Sequence, residues 1–242
     1  MFRRIPFIGG GGYSGKVLGT AAANLIGYWP MWETSGAVAD NLEGTAARDG
    51  AYTGVTLGSS TGPDGRPVGL WDGANDFCDI YTASLNTAFN TASGTVAIWF
   101  KVSAAGVWTD AALRYFINIR ADADNRIYII KSGTDNLATF VYEAGNTPEV
   151  ITSASFAGST AWHHMALTWN KAGDAVKAYI DGVQSGGTET GLGIWAGALN
   201  VGYCNIGSYR NIAQDVFDGY LAHAAIWNTP LTPTQILALA TV

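Results

Sequence analysis

The sequence predicts an all-β sandwich of one domain, residues 24–242, closed by a short C-terminal helix and preceded by an extended Gly-rich arm over residues 1–23. Three observations carry this. Charged residues make up only 13% of the 242 positions, against 31 glycines and 12% aromatics, a balance that suits many short strands and tight turns. Apolar residues alternate on both arms of Ala161 to Val183: His163, Met165, Leu167 and Trp169 share one face, and Val176, Ala178 and Ile180 another. Turn chemistry punctuates the alternation, with Lys171-Ala-Gly-Asp174 between those arms and Asp181-Gly182 after them.

In chain order, the arm carries Arg3, Arg4, Phe7 and Tyr13 around a run of glycines. Ordering such a segment costs conformational entropy, so something must hold it: docking on neighbouring subunits is expected, with packing on its own domain the alternative. Arg3 and Arg4 before Ile5-Pro-Phe-Ile8 resemble the start of an export signal, but the apolar stretch is too short and no signal peptide is expected. Leu25 to Trp32 forms an edge strand, with Pro30 where no ladder donor is needed. Asp40-Asn41 and Asp49-Gly50 mark turns, Gly58 to Pro67 a loop, and Val68 to Ile80 two short strands around an Asp-Gly turn. Thr95 to Val102 is a strand with Val96, Ile98, Phe100 and Val102 on one face and Ala97, Trp99 and Lys101 on the other. Tyr115–Arg120 and Arg126–Lys131 form a hairpin, followed by a strand over Ala138–Glu143; Ala198–Gly207 and Gly219–Trp227 close the sandwich. Thr232-Pro-Thr-Gln235 is a capping box that starts the helix, which Ile236, Leu237 and Leu239 pin to the sheet. Cys78 and Cys204 are expected as buried apolar fillers, a disulfide between neighbouring strands being the alternative.

Composition also excludes partners. A formal charge of −6 with 13 scattered basic residues argues against nucleic acid and anionic membrane surfaces, and no apolar run is long enough to span a bilayer.

Four motifs, taken in order, resemble the laminin G-like and pentraxin-like branch of the concanavalin A-like lectin and glucanase superfamily. They are Leu70-Trp-Asp-Gly-Ala-Asn-Asp-Phe-Cys-Asp-Ile80, Thr95-Val-Ala-Ile-Trp-Phe-Lys101, and Trp162-His-His-Met-Ala-Leu-Thr-Trp169 with Ala178-Tyr-Ile-Asp-Gly182. The last is Asn205-Ile-Gly207 with Phe217-Asp-Gly-Tyr-Leu221 and Ala225-Ile-Trp-Asn-Thr-Pro-Leu-Thr232. The resemblance covers about Asn24 to Ala240 and implies a jelly roll of two antiparallel sheets, without implying one function.

Catalysis is not expected. Glycoside hydrolysis needs paired carboxylates, and the Glu-x-Asp-x-x-Glu strand of glucanases has no match among the dispersed Glu33, Glu43, Glu143, Glu149 and Glu189. His163 and His164 are adjacent on a strand and so point to opposite faces, which makes them architecture rather than a site. The resemblance implies calcium at Asp122, Asp124 and Asn125 with Asp215 or Asp218 from a second loop. Yet the acidic cluster that pentraxins carry after the Ile-Gly strand is replaced by Ser208-Tyr-Arg-Asn211. Trp108, Trp195, Tyr203 and Tyr209 lie in or near loops and are candidates to present rings to a glycan. The expected role is a non-catalytic structural or recognition subunit of an assembly such as a phage virion, exposed on its surface and docked through the arm. A carbohydrate-binding lectin or adhesin that recognises cell-surface glycans is the alternative, and a glycoside hydrolase the third.

Overall fold

The computed structural model describes residues 12–242. Sixteen strands form among them: β1 (Leu25–Trp29), β2 (Val38–Ala39), β3 (Gly50–Thr53), β4 (Thr56–Thr61), β5 (Pro67–Asp72), β6 (Phe77–Asp79), β7 (Ser93–Val102), β8 (Arg114–Asp122), β9 (Asn125–Lys131), β10 (Ala138–Glu143), β11 (Pro148–Thr152), β12 (His163–Asn170), β13 (Ala175–Ile180), β14 (Val183–Glu189), β15 (Asn205–Ile206) and β16 (Asp218–Trp227). Three short α-helices accompany them, α1 (Tyr13–Gly19), α2 (Ala83–Ala88) and α3 (Pro233–Leu239). The strands divide into two antiparallel sheets of eight. One runs β14-β13-β12-β7-β16-β5-β4, with β1 also on β16; the other runs β11-β10-β9-β8-β15-β6-β3-β2.

Alternation places the core between them. Val96, Ile98, Phe100 and Val102 of β7 meet Phe116, Ile119, Ile127 and Ile129 of the facing sheet, while Ala97 and Trp99 point to the outer face. Met165, Leu167 and Trp169 also face inward, and their neighbour His164 lies outward against Trp99. The Asp-Gly turn at Asp72-Gly73 carries the chain from one sheet to the other, because β5 and β6 belong to different sheets. Gly58 to Pro67 is not simply a loop: its first residues complete the edge strand β4. Of Ala198–Gly207 only Asn205–Ile206 is strand, because a turn precedes it, closed by the Tyr203 N–H on the Asn200 carbonyl at 3.2 Å. Cys78 and Cys204 are both buried and both free.

A second apolar layer covers the outer face of the β7-containing sheet, where Tyr28, Trp99, Ala166, Tyr179 and Trp227 meet α1 and α3. The capping box at Thr232 is present, and Ile236 and Leu239 are buried, but Leu237 faces out at 53% exposure. One turn of helix separates buried Tyr13 from buried Val17, the i, i+4 spacing of an amphipathic segment. The Tyr13 hydroxyl accepts from Trp99 Nε1 at 2.7 Å and donates to the Leu239 carbonyl at 2.7 Å. Trp227 Nε1 donates to the Thr20 carbonyl.

Residues from Tyr13 onward are therefore packed on their own domain, which corrects the expectation that Tyr13 belongs to an arm reaching for neighbours. Arg3, Arg4 and Phe7 lie outside the described residues. Tyr13→Phe keeps the ring but strands the buried Trp99 N–H. Loss of stability by about 1–3 kcal/mol is expected in urea unfolding, and a neutral variant would mean α1 is not part of the fold.

Candidate functional site

The outer face of the other sheet is built differently. In β8 a bulge between Tyr115 and Ile117 lets Phe116 and Ile117 both turn inward, which leaves Tyr115, Asn118 and Arg120 on the outer side. In β9 the alternation buries Ile127 and Ile129 and turns Arg126 and Tyr128 out. Glu143 of β10 stands directly across from Arg126 and accepts from its Nε at 2.6 Å. Burial is the largest single influence on Arg126 and works against its charge, but the Glu143 bond together with electrostatic attraction to Tyr128, Glu143 and Tyr115 leaves the guanidinium above its usual value.

Two loop tyrosines complete the face, and one buried side chain positions both. Asn118 is fully buried, and its Nδ2 donates to the Tyr203 carbonyl at 3.1 Å and to the Tyr209 carbonyl at 2.7 Å. Tyr128, Tyr115, Tyr209 and Tyr203 then form a row, with successive ring centroids 5.6, 5.2 and 5.5 Å apart. Such spacings are those of mutually supporting aromatic rings. Arg126 lies over Tyr128 at 5.4 Å, and Arg120 lies 5.0 Å from Tyr203 and 5.5 Å from Tyr209. Burial raises the pKa of Tyr115 and Tyr128, so both keep their hydroxyl protons at neutral pH. Tyr128, Tyr203 and Tyr209 are half-buried and Tyr115, at 7% exposure, lies beneath them, so the surface offered is three partly exposed rings supported by a buried fourth, with arginines beside them.

Of the four aromatics expected at a glycan site, the structure brings two together. Trp108 is fully buried, stacked on Phe156 with centroids 4.5 Å apart, and its Nε1 donates to Ser159. Trp195 rests on Phe89 and Tyr142 at the margin of the inner core. Neither joins the row. Tyr115, Tyr128, Arg120 and Arg126 were missing from the sequence-based set, although the shared face of the Tyr115–Lys131 hairpin was the signal that could have found them. On the opposite side of the molecule, Trp162 and Tyr220 form a smaller pair at 6.5 Å beside Lys101.

The calcium residues do not fit an ion as they stand. Asn125 Oδ1 already accepts from Gly145 N–H at 3.0 Å and Ala196 N–H at 2.8 Å, which occupies both lone pairs. Asp122 Oδ1 accepts from Asp124 N–H and from Asn125 Nδ2, bonds that hold its carboxyl below the usual range. The carbonyl of Asp215 caps Tyr115, and burial raises its carboxyl. Among the described residues no three His, Cys, Asp or Glu side chains gather into a metal-holding group. What bridges the 122–125 turn to the 208–211 segment is Arg120, whose Nε donates to the Asp122 carbonyl at 2.7 Å and whose Nη1 meets the Tyr209 hydroxyl. A guanidinium stands between the two segments that the resemblance joins through an ion.

On this face Glu143 is tied to Arg126 rather than paired with a second carboxylate. Two packed antiparallel sheets with a ring-lined outer face define a lectin-like jelly roll. The sequence profile of the concanavalin A-like lectin/glucanases superfamily matches residues 72–237, and the chain belongs to that superfamily. It is 30% identical over 155 residues to neuronal pentraxin-1 of Rattus norvegicus, an alignment covering 61% of this chain and 33% of the relative. A shorter match, 32% over 101 residues, joins it to the sushi, von Willebrand factor type A, EGF and pentraxin domain-containing protein 1 of Mus musculus, covering 39% of this chain and 3% of that one. The chain thus spans about a third or less of the length of these relatives. Among solved structures it is similar to domain 4 of AbnA, a GH43 extracellular arabinanase from Geobacillus stearothermophilus in complex with arabinotriose. The TM-score is 0.64 at 17% identity, over 90% of this chain and 98% of that one. The Ruminococcus gnavus IT-sialidase CBM40 bound to α2,3 sialyllactose gives 0.53 at 12% identity, over 66% and 88%. At these identities the likeness is one of fold.

Proposed function

We propose that this chain is a non-catalytic carbohydrate-binding module that takes its glycan on the row Tyr128, Tyr115, Tyr209 and Tyr203. The observation that carries this is the row itself: four rings in mutual contact, with Arg120 and Arg126 beside them and the Tyr203 and Tyr209 backbone carbonyls held by Asn118, so the platform is largely formed before a sugar arrives. Sugar-bound modules among its fold neighbours support the same reading. The test is a glycan array probed with and without chelator. Retention of at least one glycan, unaffected by chelator, is expected. Tyr209→Ala is expected to weaken that binding by about ten-fold or more, the equivalent of 1.4 kcal/mol, and to release no hydrolysis product. A chain that retains no glycan would end the reading.

A second reading, a subunit displayed on a particle such as a phage virion, keeps as its support the Arg3, Arg4 and Phe7 stretch ahead of α1, now that Tyr13 is accounted for by the domain itself. Light scattering on the full chain reads it directly, a monomer counting against it.

A further inference from the structure

The three arginines of the platform are not equivalent. Arg126 is neutralised by Glu143. Arg120 and Arg210 make no ion pair among the described residues, although the charges of Asp122 and Asp215 sense them. Arg120 gives its bonds to uncharged oxygens, the Asp122 carbonyl and the Tyr209 hydroxyl, so part of its planar donor fork is unspent. Arg210 reaches the Tyr203 hydroxyl at 3.5 Å through Nη1, while its Nε–H is shielded from solvent and meets no acceptor. Tyr203 therefore stands against both groups. A buried donor without an acceptor is destabilising until something satisfies it, and a guanidinium fork matches a carboxylate with two parallel bonds. On a chain of net charge −6, two arginines without ion-pair partners beside an aromatic row select for an anionic group.

We propose that the sugar taken by this platform is an acidic one, of the uronic or sialic type, its carboxylate held by Arg120 and Arg210 and its ring laid on the tyrosines. This rests on the carbohydrate-binding reading and specifies its ligand class. The positive charge is supplied by the protein, so recognition needs no metal.

Isothermal titration of the full chain separates the two levels. The probes are trigalacturonate with its carboxyl-reduced counterpart, and sialyllactose with lactose, each in calcium and in EDTA. The expected result is that one acidic probe binds at least about ten-fold more tightly than its neutral counterpart, equally in both buffers and less tightly at high salt. Arg120→Gln and Arg210→Gln are each expected to erase that preference, with near-UV circular dichroism confirming the fold; the acidic-to-neutral comparison on the unaltered chain decides the question even if a variant misfolds. Equal binding of neutral counterparts, or an acid preference lost in EDTA, overturns the acidic-sugar assignment and leaves carbohydrate binding standing. No heat with any probe also overturns the acidic-sugar assignment, while carbohydrate binding itself is overturned only by an array on which no glycan is retained.

Discussion

Asn118→Asp is expected to destabilise the fold by about 3–5 kcal/mol and to abolish glycan binding, the largest effect of any single substitution in the platform. Asn118 is fully buried, and its two amide protons are what the carbonyls of Tyr203 and Tyr209 accept. A carboxylate there would set oxygen against two carbonyl oxygens and bury a charge without a counterion. The protonated acid can serve only one of the two carbonyls, so one tyrosine segment is released in either state. Urea unfolding reads the stability, and the midpoint of the variant should recover partly at low pH as the carboxyl takes up a proton. Wild-type stability in this variant would show that the two loop tyrosines are held by something other than Asn118.

Two buried histidines should weaken the fold as pH falls below about 6.5. His164 is buried beside Trp99 with Nδ1 unpartnered, and burial pushes its pKa from 6.5 down to about 3. His223 is pushed down as well, by burial first and against the pull of Asp64. The unfolded chain takes up these protons near 6.5 while the folded chain resists them, so the unfolded state binds more protons below that value. Stability is then full above about pH 6.5 and falls as pH drops toward 3, by about 1.4 kcal/mol per pH unit for each histidine that stays neutral. Asp64, Asp110 and Asp181, whose folded values are lowered below 3.8, add their losses at more acid pH, whereas Glu33, Asp76, Glu149 and Asp215, raised by burial, bind protons more readily folded than unfolded and offset part of the histidine loss. The urea midpoint should decline from pH 6.5 to 4.5, and His164→Phe, which keeps an aromatic edge against Trp99, should flatten that decline. A His164→Phe variant whose midpoint follows the same course with pH as the wild type would contradict the burial of His164 as a neutral ring.

The legible part of this molecule was the part governed by local periodicity. Strand β7 and the hairpin of β12 and β13 show their two faces in the alternation of Thr95–Val102 and His163–Ile180, and α3 announces itself through Thr232 and Gln235. Edge strand β4 was hidden because Gly58, Ser59 and Ser60 have turn chemistry, and its pairing with β5 supplies what propensity does not. The site was only half legible. Tyr203 and Tyr209 are visible as loop aromatics, but the contacts that make them a pair come from Asn118, 85 and 91 positions away. Trp108 looks much like them in sequence and is buried because Phe156 closes over it from a distant loop. Asp124 and Asn125 invited a metal, whereas Asn125 serves two backbone amides, one of them at Ala196 across the fold.

The central claim, that sugars bind the tyrosine row on the outer face of the β8 and β9 sheet, is tested most directly by nuclear magnetic resonance titration of the labelled full chain with the tightest glycan from the array. Shifts confined to Tyr115, Tyr128, Tyr203, Tyr209 and the side chains of Arg120 and Arg210 are the predicted result. Shifts gathered instead at Trp162, Tyr220 and Lys101, on the opposite face, would contradict it.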